Sequence, residues 1–368
     1  MKNKLIICFI LMVVCIPFVG SISVSADSDD TEKKQFIYST LSDFLDIQNI
    51  DFDSNVLISE PFEVYDFNND GIIDNREIYF IIRGNKVIGR LAFNIVDNEF
   101  QANYLALSNS IFDNLYQNNI DFAYGFYDNN TIVLINNEFR TFDNTVIGNS
   151  DELELNCETK TITRDLVNNS FVALTLSECY STTRSSLLFN KQLSGVTHVS
   201  NSKTPSNNGL CWAATMAMKI NRESPSWSNM DADDVFWNMR IMFGEDPIGD
   251  IEWYKKGYPR FGMDNLTYKS GGMTCGQVSS AIQNNKTIHA DLWTSSSAKG
   301  KKEGHSILIS GIKIYSDHAI YTIYDCNQDY GMFYQYVSSQ AMSNPAYFYY
   351  DNKNSIAPVL TYWKYSVY

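Results

Sequence analysis

Basic residues are scarce in this chain: 28 Lys and Arg stand against 42 Asp and Glu, a net charge of −14 over 368 residues. Neither half carries the basic stripe that follows a nucleic-acid backbone, so nucleic acid is not an expected partner. Histidine is scarcer still, with only four residues. No Cys-x-x-Cys pair or histidine cluster has the spacing of a structural zinc site. A phosphate-binding Gly-x4-Gly-Lys-Ser/Thr loop is also missing. Beyond the first 20 residues, no apolar run approaches the length that spans a bilayer.

That first run has its own meaning. Met1-Lys2-Asn3-Lys4 is basic, Leu5 to Gly20 is apolar, and Val24-Ser25-Ala26 supplies small residues for cleavage. The pattern predicts a secretory signal peptide over 1–26 and a secreted, extracellular product. Cys15 lies inside the apolar region rather than after it, so no lipid or other membrane anchor is expected. Of seven cysteines, Cys8 and Cys15 leave with the signal. The remaining five are odd in number, which leaves at least one thiol unpaired. Cys211 is the natural free one, with Cys157–Cys179 and Cys275–Cys326 as candidate bridges.

Charge divides the rest sharply. Residues 27–188 hold 27 acidic and 10 basic residues, whereas 189–368 hold 15 and 16. Two domains are expected, and the acidic one would be repelled by anionic lipid. In it, Phe36, Ile37, Leu41, Phe44 and Leu45 recur at helical spacing, predicting a first amphipathic helix over Thr31 to Asn49. Phe62 to Tyr65 alternates as a strand. Ile78 to Ile82 and Val87 to Phe93 read as a hairpin across Arg83-Gly84-Asn85-Lys86. Between them, Asp66, Asn68, Asp70, Asp74 and Glu77 fall at positions 1, 3, 5, 9 and 12 of a loop. Gly71 is at position 6 and the Ile72 carbonyl at position 7. This is a calcium-loop pattern between extended rather than helical flanks, so calcium is a possible cofactor of this domain.

The near-neutral half carries the chemistry. A polar stretch, Asn207-Asn208-Gly209-Leu210, stops at Cys211, where the helix-forming Trp212-Ala213-Ala214-Thr215-Met216-Ala217-Met218 begins. A thiol at a helix amino end sits among unpaired N–H groups that favour negative charge. Downstream, Gly304-His305-Ser306 opens an apolar run, and Ala319 to Tyr324 a second one that ends in Asp325-Cys326-Asn327. Ser316-Asp317-His318 makes the turn of an antiparallel hairpin. With that turn centred near Ser316, His305 faces Asn327 and lies diagonal to Asp325. A nucleophile, a base and an orienter of the base form the general arrangement for acyl transfer. Among the other histidines, His198 is the alternative base, His289 a packed strand residue and His318 a solvated turn residue.

The order Cys, His, Asp resembles the papain-like cysteine peptidases, more narrowly their bacterial C39-like branch. The likeness rests on Leu210-Cys211-Trp212-Ala213-Ala214, on Gly304-His305 before a strand reaching Gly311, and on Tyr324-Asp325. It rests also on the amphipathic helix from Gln277 to Lys286. It covers about residues 190–368. The resemblance implies an α+β papain-like catalytic domain over 189–368, preceded by a small β-rich propeptide domain over 27–188. It implies Cys211 as nucleophile, His305 as general acid/base and Asp325 as orienter, with Asn327 the alternative orienter. Protein or peptide substrates are implied, no cofactor is required, and the propeptide would act as an intramolecular inhibitor or folding aid. Polar Ser181 to Ser186 suits a processing site. One residue departs from the family: Pro205 stands where a glutamine usually helps bind the oxyanion, leaving Asn207 or Asn208 as candidate donors. Amine acyltransferases share the same three residue types. A catalytically silent, calcium-stabilised binding protein on this scaffold is the rival of another class.

Overall fold

The computed structural model describes residues 26–50, 56–68, 71–96, 99–108, 110–127, 130–150, 157–162, 185–201, 209–224, 226–294, 304–327, 332–338, 342, 347–350 and 359–368. Over these residues the architecture is mixed α+β, with six helices and a large, mostly antiparallel sheet of 17 strands. The signal-peptide reading lies outside the described residues. No helix among them is long and apolar enough to cross a membrane.

The N-terminal half starts with α1 (Ala26–Ile47). Its expected stripe is its buried face, with Leu41, Phe44 and Leu45 fully covered. Strands β1 (Val56–Ile58), β2 (Phe62–Asp66), β3 (Gly71–Arg83), β4 (Lys86–Val96) and β5 (Glu99–Ala106) follow. The expected hairpin is β3–β4: Ile82 faces Val87 and Arg83 faces Lys86, while Gly84 supplies the positive φ the turn needs. Helix α2 (Ile111–Gln117) then leads to β6 (Ala123–Tyr127), β7 (Asn130–Ile135), β8 (Glu138–Arg140) and β9 (Val146–Asn149). The single parallel pairing, β2 with β6, closes this unit around stacked phenylalanines such as Phe62 and Phe122.

The proposed calcium loop takes a different form from a twelve-residue wrap. β2 and β3 close on each other with Tyr65 opposite Ile72 and Asp66 opposite Gly71, so positions 6 to 12 are strand. Glu77, at position 12, accepts from Lys33 Nζ at 2.6 Å and from the Tyr79 hydroxyl. Asp66 Oδ1 accepts the Asn68 backbone N–H at 3.1 Å, Asp74 is exposed, and Asp70 lies outside the described residues. A calcium ion bound here would compete with Lys33 and Tyr79 for the Glu77 carboxylate.

The second half begins with β10 (Leu187–Gln192), then α3 (Cys211–Glu223), α4 (Ala232–Phe243) and α5 (Ile251–Arg260). After β11 (Tyr268–Ser270), α6 (Cys275–Gln283) starts at a capping box formed by Thr274 and Gln277. It leads to β12 (Ile288–Thr294), β13 (Gly304–Tyr315), β14 (Ala319–Tyr324), β15 (Met332–Val337), β16 (Tyr347–Tyr350) and β17 (Val359–Val367). Strand β13 is the spine. β12 borders its first half, β10 its second, and β14 lies along its other edge. The small residues Ala213, Ala214 and Ala217 let α3 lie on β12 and β13 at full burial. Lys219, wholly buried, ties the helix down by donating to the Thr287 carbonyl at 2.7 Å and to Glu223 at 2.8 Å.

One irregularity in the spine decides the site. Near the turn, partners on β13 and β14 run Gly311↔Thr322 to Ile314↔Ala319; beyond a bulge at Ser310 they run Ile309↔Ile323 and Leu308↔Tyr324. The bulge slips the register by one residue, which exchanges the two faces of a strand. Carried one residue on, the slipped register sets Asp325 opposite Ile307, on the face His305 shares; the unslipped register would turn it away. Gly311 lets the flanking strands pack closely beside the bulge, since a Cβ there would come 2.8 Å from Thr322 Oγ1 and 3.1 Å from Gln192 Cα. Gly311→Val is expected to cost about 1–3 kcal/mol in stability, measured as a lower urea midpoint with unchanged slope.

The halves meet at one edge. β5 pairs antiparallel with β15, Tyr104 facing Tyr334 and Asn103 facing Gln335. α1 packs in the same place, its Phe44 stacked on Tyr104 at 5.6 Å. Of the expected processing stretch, residues 181–184 lie outside the described residues, while Ser186 already donates its N–H to Ser316 Oγ beside β13.

One cysteine expectation changes. Cys275 and Cys326 are free thiols and do not form a bridge. Cys275 Sγ is 3.3 Å from the Tyr321 hydroxyl, and burial pushes its pKa up. Cys179 lies outside the described residues, and with it the pairing to Cys157.

Candidate active site

Cys211 is the first residue of α3, as the sequence predicts, and is half-buried. Leu210 at the cap position offers no side-chain acceptor, and no acidic residue occupies the first turn. The amino-end N–H groups therefore face the thiol uncompensated by any described carboxylate of this helix. Trp212 packs its Cβ and ring on Gly249, where an added Cβ would come within 3.0–3.1 Å of them.

His305 enters at the start of β13. It is buried, and its Nε2 donates to Asp325 Oδ1 at 2.8 Å. Because that nitrogen is engaged, Nδ1 is left for Cys211, which is near enough to the ring to favour its protonated form. Asp325 is fully buried and is held in turn by the Asn327 backbone N–H at 2.9 Å on the same oxygen. Burial pulls the imidazole pKa down, but the charge and hydrogen bond of Asp325, with the contact to Cys211, outweigh it. The result is pushed up to about 10. A group raised in this way contributes stability that is fully present below its unfolded pKa near 6.5 and is lost as the pH rises through about 10.

The three residues expected to converge do so. Asn327, the alternative orienter, does not face the ring: β14 ends at Tyr324, and its side-chain oxygen accepts from Asn201 Nδ2 at 2.9 Å. Its part is to fix Asp325 through the backbone. His198, the alternative base, is bonded through Nε2 to the Asp325 carbonyl at 3.0 Å and buttresses the same turn. Asn207 and Asn208, the candidate oxyanion donors, lie outside the described residues, as does Pro205.

Two features escape a reading of the sequence. Cys326 is buried beside Asp325, and burial with the neighbouring negative charges pushes its thiol well above its ordinary pKa. His305, Asp325 and Cys326 place one ligand atom each within 4.8 Å of one another, a donor set that zinc accepts. Asp325 Oδ1 is nonetheless already satisfied by two N–H donors, as an orienting carboxylate requires. Behind the site lies a second polar network. Asp291 Oδ1 accepts from Ser306 Oγ, from the Tyr254 hydroxyl at 3.1 Å and from His289 Nε2 at 3.2 Å. Tyr258 closes it on His289 Nδ1 at 2.7 Å. His289 is therefore buried but polar in its contacts, and the network locks α5 and β12 to the residue next to His305. No local motif announces it, because Asp291 meets Ser306 only through the β12–β13 register.

A nucleophile candidate at a helix amino end, an imidazole near it and a buried carboxylate on the far nitrogen can together perform nucleophilic acyl transfer. No protein-family model matches the chain, and a search of curated proteins returns no match.

Proposed function

We infer that this chain is a secreted cysteine peptidase of the papain-like kind, made as a precursor with its acidic half in front. The observation that carries the reading is the convergence of Cys211, His305 and Asp325, with His305 hydrogen-bonded to Asp325 and acted on by Cys211, from a helix and a hairpin about a hundred residues apart in sequence. The mixed α+β architecture, with the cysteine helix lying on the antiparallel sheet that carries the histidine and the acid, supports it.

The steps follow from the positions of the atoms. Cys211 Sγ attacks the scissile carbonyl, and the oxyanion forms near the amino end of α3, within reach of its backbone N–H groups. With a pKa of about 10, His305 holds its proton at neutral pH and can deliver it to the leaving amine. Asp325 keeps the ring oriented and stabilises its positive charge. A water that then gives its proton to His305 releases the acyl group from sulfur.

The second reading, a binding protein that has lost catalysis, is favoured by Pro205 in place of the usual oxyanion donor. Labelling separates the two. At neutral pH, iodoacetamide should modify Cys211 faster than free cysteine, leave buried Cys275 and Cys326 unlabelled, and abolish peptide hydrolysis. A Cys211 that reacts no faster than free cysteine, in protein without hydrolytic activity, would support the binding module instead.

A further inference from the structure

Between the two halves, His318 is not the solvated turn residue its sequence position suggests. It is buried, with Nε2 on Asp43 Oδ2 of α1 at 3.1 Å and Nδ1 on Asp317 Oδ1 at 2.8 Å. Its ring is stacked between Tyr315 at 4.4 Å and Tyr336 at 5.2 Å. Beside it Lys313 of β13 pairs with Asp46 of α1. Phe36 of α1 packs edge-on against Tyr336 at 5.1 Å, and β5 adds the strand pairing to β15. The contacts of His318 lie at the turn end of the β13–β14 hairpin, roughly 30 Å along the strand from His305, and the β5–β15 pairing, level with Gly311, roughly 20 Å from it.

We propose that this turn end is a docking surface that retains residues 26–162 after the connector over 163–184 is cut, and that it releases them as the pH rises. The N-terminal half would then be a detachable brace on the far end of the catalytic sheet, a role that does not depend on its reaching the cysteine.

The electrostatics give the direction. The groups facing His318 are Asp43 from α1, Asp317 from its own turn, and the two tyrosine rings; the Lys313–Asp46 pair is adjacent, and Glu99 of β5 lies near Tyr336. Two carboxylates on one ring favour its protonated form. Burial alone would lower the pKa, but Asp43 and Asp317 raise it above its ordinary value. Asp317 stays with His318 when the halves part, so only the part of the rise that Asp43 adds is linked to docking. That part favours docking at pH below the pKa of the undocked ring and is lost as the pH passes through the raised value. By linkage, affinity changes about tenfold for every unit by which docking raises that pKa. Aromatic burial around Phe44, Tyr104 and Tyr334 supplies the pH-independent part of the hold.

The test uses the full chain with a site-specific protease sequence placed in the connector, cut and then diluted at about pH 6 and about pH 9. Co-elution and a fluorescence dissociation constant report on the complex. The halves should stay together at the lower pH and bind at least about tenfold more weakly at the higher one. His318→Gln should flatten this dependence, and so should Asp43→Asn, which keeps the proposal testable if the first variant folds poorly. Three results would overturn it: separation at the lower pH, equal affinity at both, or an unchanged slope in both variants. None of these readouts involves peptide hydrolysis, so the outcome is independent of the catalytic reading.

Discussion

Cys211→Ala protein should fold, bind peptide and fail to cut it, with turnover lower by about 10⁴- to 10⁶-fold. The size follows from what the sulfur does. In enzymes that act through a covalent acyl intermediate, removing the nucleophile costs nearly as much as removing the whole catalytic group, because its partners act only through it. The fold should survive. Cys211 is half-buried at the first position of α3, and that helix is held by its alanines and by Lys219 further along. Alanine is also the best helix former. Steady-state hydrolysis beside peptide binding by calorimetry makes the check. A variant that still cuts at one-tenth of the original rate would remove Cys211 from the mechanism.

Asp325→Ala is expected to lower kcat by about 10⁴-fold, the typical cost of losing the residue that orients a catalytic histidine. The carboxylate is fully buried and accepts from both His305 Nε2 and the Asn327 N–H, so the deletion leaves two donors without a partner. Asp325→Asn separates orientation from charge. Its amide oxygen can still accept from Nε2, so more activity should remain than in the alanine variant. The negative charge that raises the imidazole pKa to about 10 is gone, however. The basic limb of the kcat/KM profile, which reports ionisations of the free enzyme, should therefore move to lower pH in Asp325→Asn. If the limb stays in place, the carboxylate does not control His305.

Much of the site is legible in the chain because it is set by local rules. A polar, glycine-containing stretch meeting an alanine-rich run places Cys211 at a helix start without reference to the rest of the molecule. Hairpin arithmetic from the turn at Ser316 brings Asp325 toward His305, and the pairing Leu308↔Tyr324 obeys it. Yet the same arithmetic put Asn327 opposite the ring, because it could not register that β14 stops at Tyr324. The Ser310 bulge also shifts the pairing near the turn by one residue. A centre taken slightly differently would have turned Asp325 to the other face.

His318 departs from its expected solvated place for a related reason. A histidine in a Ser-Asp-His turn is normally solvated, and only the docking of α1, 275 residues earlier, buries it. The calcium loop shows the converse. Spacing of oxygen ligands is visible in sequence, but whether position 12 is free to coordinate depends on Lys33 reaching Glu77.

The sequence by itself determined which residues are candidates for chemistry, where the cysteine helix begins, where the two hairpins turn, and how charge divides the chain. Those properties come from near neighbours: backbone geometry, side-chain periodicity and capping act over a few residues. Tertiary structure alone decided that Asp325 rather than Asn327 holds the ring, that Asp291 and Tyr254 brace the strand behind it, and that β5 and α1 dock beside His318. Each of these depends on strand register and burial between segments far apart in sequence. There, a slip of one residue reverses a face, and no local pattern records the choice.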